Sequence, residues 1–138
     1  MILIVEDFAD TARALCGLLS HKGYPCHWVT NGQEAIAFIR QHRQEDPLLV
    51  VLDEMMPGMS GIDVLRSLRE DQKTATTNVI VYTAGYDSAK RDTAVALGVV
   101  AYLLKGGDVE GTLKTICEWY ERIGGVRSAN KSNQDTAR

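Results

Sequence analysis

Five short apolar runs divide the chain, and they alternate with segments of helical periodicity. The runs are ILIV (2–5), PCHWV (25–29), LLVVL (48–52), VIVY (79–82) and VVAYLL (99–104). Four of them are almost unbroken in apolar residues, which is typical of parallel strands covered on both faces. The run at 25–29 is mixed and begins with Pro25, which favours a strand at the edge of the sheet.

The segments between the runs predict five helices. Apolar residues recur at three- and four-residue steps in the first, from Asp10 to Lys22. The starts of the others are marked by residues with capping side chains: Asn31, Ser60, Asp87 or Ser88, and Asp108. Strand and helix thus alternate five times. This order predicts an α/β fold, a single-domain five-stranded parallel sheet flanked by five helices.

The predicted domain covers residues 1–125. The chain of 138 residues is 45% hydrophobic, which suits one compact domain with one core. Residues 126–138, VRSANKSNQDTAR, are polar and lack an apolar period. They predict a disordered tail or the stub of a linker.

Charge and cysteine content exclude several functional classes. A formal net charge of −3 argues against direct nucleic acid binding, because a phosphate-binding surface needs a basic excess. No apolar run approaches the roughly 20 residues that cross a bilayer, so we expect no membrane partner. The three cysteines are odd in number and widely spaced, which indicates no disulfide framework. We therefore expect a protein of the reducing cytoplasm.

Polar residues that can do chemistry follow four of the five runs. The carboxyl ends of parallel strands share one edge of a sheet, where ligands of such folds bind. That edge would collect Glu6, Asp7, Asp53, Thr83 and Lys105. Three converging carboxylates repel one another, and a divalent cation relieves this repulsion; oxygen ligands favour Mg²⁺. With Mg²⁺ and a lysine nearby, the central Asp53 would stay ionised and could attack an electrophilic phosphorus.

These residues resemble the response-regulator receiver domain of two-component signalling, the CheY-like family. The resemblance covers the chain from Met1 to about Gly125. It rests on the acidic pair at 6–7, LDEMMPGMSG at 52–61, TA at 83–84 and YLLK at 102–105. It implies a flavodoxin-like fold with the strand order 2-1-3-4-5.

The resemblance also implies a role for each residue of the site. Asp53 would be the phosphoacceptor, taking its phosphoryl group from a sensor histidine kinase or a histidine phosphotransfer protein. Thr83 and Lys105 would contact that group, and Tyr102 would be the aromatic residue that rotates as Thr83 moves. The implied Mg²⁺ ligands are Asp7, Asp53, the backbone carbonyl of Met55 and, through water, Glu6.

A phosphorylated receiver would act through its surface. The face built from Ala89–Leu97, the fifth strand and the last helix is expected to bind an unknown downstream target, and could also form a homodimer. The phosphoryl group can bias two packings of that face because it adds close to two negative charges.

The sequence departs from the family pattern at several positions. Gly106 replaces the proline that usually follows the lysine, and we expect a trans peptide and a looser loop there. Glu54 stands where an apolar residue is usual, and we expect its side chain to point away from Asp53 into solvent. Met55 and Gly85 occupy the positions that tune self-dephosphorylation. Neither side chain holds a water well, which predicts a long-lived phosphoryl group.

Other functions compete with a stand-alone receiver switch. The chain could be a phosphorelay intermediate that passes phosphate to a histidine phosphotransfer protein. A flavodoxin-like electron carrier would need a phosphate-binding loop, where EDFADTA offers acidic residues. An aspartyl-phosphate hydrolase would need an acid two residues after the nucleophile, where Met55 stands. We expect no enzyme activity beyond phosphorylation and slow dephosphorylation of Asp53 itself.

Overall fold

Five strands and five helices alternate along residues 1–128, the part of the chain that the computed structural model describes. The strands are β1 (Ile2–Val5), β2 (Cys26–Val29), β3 (Leu49–Leu52), β4 (Asn78–Thr83) and β5 (Ala101–Leu104). The helices are α1 (Ala9–His21), α2 (Gly32–Gln41), α3 (Gly61–Glu70), α4 (Ser88–Ala96) and α5 (Val109–Arg122).

The strands form one parallel sheet in the order β2-β1-β3-β4-β5. This order confirms the predicted fold and the predicted edge position of β2. Val5 at the end of β1 pairs with Val29 and with Leu52, and Leu52 pairs with Val81. The strands therefore end nearly level with one another. The residues that follow β1 and β3 emerge side by side at one edge.

The sheet is buried on both faces, which explains the unbroken apolar runs. Alternate residues of β1 enter opposite halves of the core. Ile2 and Ile4 pack in one cluster with residues of α1 and α5, and Leu3 and Val5 pack in another with residues of α2, α3 and α4. The strand tips consequently end in a dehydrated setting.

Helix caps confirm the predicted starts. Asn31 and Ser60 each accept a hydrogen bond from the backbone three residues on, and Ser60 forms a complete capping box with Asp63. Of the two candidates for α4, the cap is Asp87. The observed strand boundaries lie within one residue of the predicted ones, except that β5 begins two residues later than predicted. The Val100 N–H, just before β5, still donates to the Val79 carbonyl oxygen of β4.

The chain beyond α5 returns to the main body of the domain. The Ser128 N–H donates to the Gly23 carbonyl oxygen at 2.7 Å. Residues 129–138 lie outside the described residues, so the predicted disordered tail stays a prediction. Within residues 1–128, none of the helices has the length and apolar character needed to cross a membrane.

The start of α3 constrains the strand that carries Asp53. A Cβ atom on Gly61 would lie 2.6 Å from the Asp53 carbonyl oxygen and 2.7 Å from the Glu54 Cα atom. Backbone would have to shift, so we expect Gly61→Ala to lower the free energy of unfolding by about 2 kcal/mol. Urea denaturation measures this change.

Gly17→Ala is the matched control for this substitution. No atom lies within 4 Å of a Cβ built on Gly17, which is inside α1. Alanine forms helix better than glycine by up to about 1 kcal/mol, so this variant should be slightly more stable than wild type. Equal stability of the Gly61→Ala variant and wild type would show that the close approach is not restrictive.

Candidate functional site

Three carboxylates converge where β1 and β3 end. Oxygen atoms of Glu6, Asp7 and Asp53 all lie within 4.8 Å of one another, as the strand-tip pattern predicts. The Asp53 N–H donates to the Val5 carbonyl oxygen at 3.0 Å, which extends the sheet pairing into the site. Glu6 and Asp53 are buried, at 6% and 5% exposure, whereas Asp7 is exposed. The cluster is thus open to solvent on the Asp7 side.

Lys105 joins two of these carboxylates. Its ammonium group donates to Asp53 Oδ2 at 3.1 Å and makes a second, short hydrogen bond to Glu6 Oε2. The backbone N–H of Lys105 donates to the Thr83 carbonyl oxygen at 2.8 Å, which aligns the end of β5 beside β4 at this edge. Asp53 Oδ1 accepts the Met55 N–H at 3.0 Å. Both carboxylate oxygens of Asp53 are therefore held by donors.

Burial and mutual repulsion dominate the electrostatics. Burial raises the pKa of Glu6 above its usual value, and the nearby Asp53 raises it further, although Lys105 opposes both effects. Burial alone would lower the pKa of Lys105, but its hydrogen bond to Glu6 and the charge of Asp53 outweigh this and raise it. Three carboxylates face one ammonium group, so negative charge remains in excess. An all-oxygen cluster with an open side fits a hard cation such as Mg²⁺.

Two hydroxyl groups have no partner. Among the described residues, the Thr83 Oγ1 and Tyr102 hydroxyl oxygens are the buried side-chain oxygens without a hydrogen bond. Thr83 is the last residue of β4, and Tyr102 packs on the same core cluster as α3 and α4. Burial raises the pKa of Tyr102, and the negative charge of Glu54 raises it further. Both hydroxyls are available to bond a new group.

Met55 and Gly85 lie together at the rim. The Met55 side chain is 58% exposed, and a Cβ on Gly85 would lie 3.5 Å from the Met55 sulfur. The two positions that are expected to tune dephosphorylation thus face each other. The role of the Met55 carbonyl as a metal ligand stays a prediction.

Gly106 adopts a backbone conformation that proline cannot. Its φ angle is +88°, whereas the proline ring fixes φ near −65°. All peptide bonds of the described residues are trans, including the one predicted before Gly106. The departure from the family pattern is therefore accompanied by a different turn after Lys105.

The prediction for Glu54 was wrong. Glu54 is 5% exposed instead of solvated. Glu54 Oε2 accepts the Ile62 N–H at 2.7 Å, and Oε1 lies 3.7 Å from the Lys90 ammonium. Burial raises the pKa of Glu54, while these two partners oppose the rise. The start of α3 occupies the space where we expected solvent.

Lys90 is a residue that the sequence did not reveal. It lies in α4 with no motif around it, and its partner Glu54 is distant along the chain. The two meet because the first turn of α4 lies close to the residue that follows Asp53. No local pattern carries that information.

The charge balance predicts how the site responds to loss of its lysine. Lys105→Met leaves Glu6 and Asp53 without their cation, so we expect the free energy of unfolding to fall by about 3 kcal/mol at pH 7 in chelator. The folded-state pKa of Glu6 then rises further above its unfolded value of roughly 4.3. A carboxyl group with a raised pKa favours folding at low pH and loses that effect as pH rises. The difference in free energy of unfolding between wild type and Lys105→Met should therefore shrink towards pH 4.

Lys114→Met is the control, since Lys114 and Glu118 form an exposed pair on α5. We expect no measurable loss of stability from this change at either pH. Urea titrations at pH 4 and pH 7 compare the variants. A Lys105→Met deficit that grows on acidification would contradict the charge balance described above.

Comparison with known proteins gives the family. The family model of the response regulator receiver domain matches residues 2–116. The protein PilH of Pseudomonas aeruginosa is 33% identical over 115 residues, which cover 83% of this chain and 93% of that protein. The response regulator ArlR of Staphylococcus aureus is 31% identical over 115 residues, and the match covers 83% of this chain but 50% of ArlR. The chain thus spans about half the length of that relative.

Solved structures agree with this result. A response regulator receiver protein from Pseudomonas putida superposes with a TM-score of 0.77 at 26% identity, over 85% of this chain and 94% of that one. A DNA-binding response regulator of the LuxR family from Staphylococcus aureus gives 0.72 at 28% identity, over 86% and 97% of the two chains. The chain therefore belongs to the family of response-regulator receiver domains.

Proposed function

We propose that Asp53 accepts a phosphoryl group in a Mg²⁺-dependent reaction, from a phosphohistidine of a sensor histidine kinase or a histidine phosphotransfer protein. The observation that carries this proposal is the setting of Asp53. Its buried carboxylate is bound by the Met55 N–H and by Lys105, within 4.8 Å of two further carboxylates. A nucleophile of this kind needs cations around it to stay ionised in a dry pocket.

The chain supplies most of the groups that the transfer needs. An Asp53 oxygen attacks phosphorus, the phosphorus–nitrogen bond breaks, and the imidazole of the donor keeps the electron pair and takes up a proton. Lys105 already reaches Asp53 and supplies positive charge to the phosphoryl oxygens. Asp7, Asp53, the Met55 carbonyl and, through water, Glu6 would hold the metal. Bound Mg²⁺ supplies the remaining charge neutralisation in the transition state.

The transferred group then acts as a switch. It adds nearly two negative charges and three strong acceptors next to Thr83, whose buried hydroxyl has no partner. Thr83 donates to the phosphoryl group, and the Tyr102 ring responds to the movement of β4. The α4-β5-α5 face already exposes Val95, Leu104 and Val109. It changes its affinity for a downstream protein or for a second copy of the chain.

The alternatives are less well supported. Glu6 and Asp7 would repel the phosphate of a flavin, which disfavours an electron carrier. The exposed Met55 cannot act as the acid of a phosphohydrolase, so we propose no activity on external substrates. A phosphorelay intermediate would use the same site.

We also propose a cytoplasmic location for the protein. Three free cysteines, two of them buried, are consistent with this location.

Intact-mass spectrometry tests phosphorylation directly. Wild type is incubated with acetyl phosphate in Mg²⁺ or in chelator, beside Asp53→Asn and the control Asp92→Asn, which removes an exposed carboxylate of α4. We expect one added phosphoryl group on wild type and on the control, in Mg²⁺ alone. Modification of Asp53→Asn, or none on wild type with metal and donor, would overturn the proposal.

The rim residues set the lifetime of the phosphoryl group. Met55 and Gly85 face each other, and neither side chain can orient a hydrolytic water. Replacing them with Asn and Glu introduces hydrogen-bonding groups, and we expect Met55→Asn/Gly85→Glu to lose the group roughly tenfold faster, as about 1.4 kcal/mol of transition-state stabilisation would give. The decay of the phosphorylated mass after removal of the donor measures the rate of dephosphorylation. An unchanged rate would show that these positions do not control hydrolysis here.

A further inference from the structure

Helix α4 buries few side chains in the core. Of its nine residues, only Ala94 is buried. Burial of apolar side chains normally holds a helix against its sheet, so α4 depends on contacts at its two ends. Those contacts decide where the helix lies.

The C-terminal end of α4 is held by an arginine of α3. The Arg69 guanidinium donates to the Leu97 carbonyl oxygen at 2.7 Å, directly after the helix. It also donates to the carbonyl oxygens of Ala75 and Thr77, at 2.8 and 2.7 Å. These acceptors are uncharged backbone groups distant from the carboxylate cluster.

The N-terminal end of α4 is held by the residue next to the phosphoacceptor. Lys90, in the first turn, places its ammonium 3.7 Å from Glu54 Oε1. Glu54 is itself fixed to the start of α3, because its Oε2 accepts the Ile62 N–H and its carbonyl accepts the Gly61 N–H at 3.0 Å. One buried residue thus connects the tip of β3 with both helices.

We propose that Glu54 and Lys90 form a tether that holds the first turn of α4 against the end of β3. Both are positioning residues, since neither reaches the Asp53 carboxylate. Through the tether, the residue adjacent to Asp53 sets the position of the helix that follows Thr83.

The burial of Glu54 gives the tether its effect. A buried carboxylate costs free energy unless donors and opposite charge surround it. The Ile62 N–H satisfies one oxygen, aided by the positive end of α3. If the first turn of α4 moved away, the other oxygen would lose the Lys90 cation. The Lys90 side chain is 50% exposed, so the contribution of the pair is modest.

Hydrogen–deuterium exchange of α4 in the full chain tests the tether without metal or phosphodonor. We expect Lys90→Met and Glu54→Gln each to speed exchange of the α4 amides roughly threefold. Glutamine keeps an oxygen for the Ile62 N–H and replaces the other, charged oxygen with a neutral NH2 group. The double variant should exchange no faster than either single variant, because both changes break the same contact.

Two further variants separate the tether from general stability. Lys90→Arg keeps the cation and should restore wild-type exchange. Arg91→Met removes a neighbouring exposed cation from the same helix and should leave exchange unchanged. Unchanged exchange in Lys90→Met, multiplying effects in the double variant, or an equal acceleration across α5 would each overturn the proposal.

A second exchange experiment, on the phosphorylated protein, rests on the proposed function. In phosphorylated wild type, verified by mass, α4 exchange should differ from that of the unmodified protein, and Lys90→Met should reduce this difference at least twofold. An undiminished difference in Lys90→Met would show that the tether does not carry the signal. Absence of the phosphoryl mass on wild type would count against the proposed function alone, since the metal-free arm decides the tether independently.

Discussion

The bridge from Lys105 to Glu6 and Asp53 is the interaction on which the site depends. Three carboxylates meet within 4.8 Å at the edge of a sheet whose central strands are fully buried. In such a setting, repulsion between carboxylates is weakly screened, and at least one cation is needed to keep them ionised. Lys105 supplies part of that charge from the position directly after β5, the strand at one edge of the sheet. The remaining excess of negative charge makes the cluster suited to a metal ion.

The two-sided core and the site are consequences of one architecture. Strands buried on both faces must be apolar along their length, so polar residues are confined to their tips. Parallel pairing then brings the tips to one edge, and the level register of β1 and β3 sets Glu6 beside Asp53. Dehydration of that edge follows from the same burial, and it strengthens both the repulsion and the bridge.

The family resemblance implied the strand order. Patterns along the chain predicted the alternation of strands and helices, the helix caps and the convergence of Glu6, Asp7, Asp53 and Lys105, because each depends on local periodicity or on parallel pairing. Other features depend on packing between distant segments. Alternation along an extended chain indicated that Glu54 points away from Asp53, but not that α3 lies there. The partner of Glu54 in α4 has no local signature either.

The contacts that hold the two ends of α4 differ in physical character, so the two ends should respond differently to a change of charge at the site. Arg69 binds uncharged carbonyls, so its hold is largely indifferent to charge at the site. The Glu54–Lys90 pair is electrostatic and lies next to Asp53. On the proposed tether, negative charge added at Asp53 would act mainly on the N-terminal end of α4. We therefore expect the largest displacement at the turn nearest Thr83, while Arg69 holds the C-terminal end.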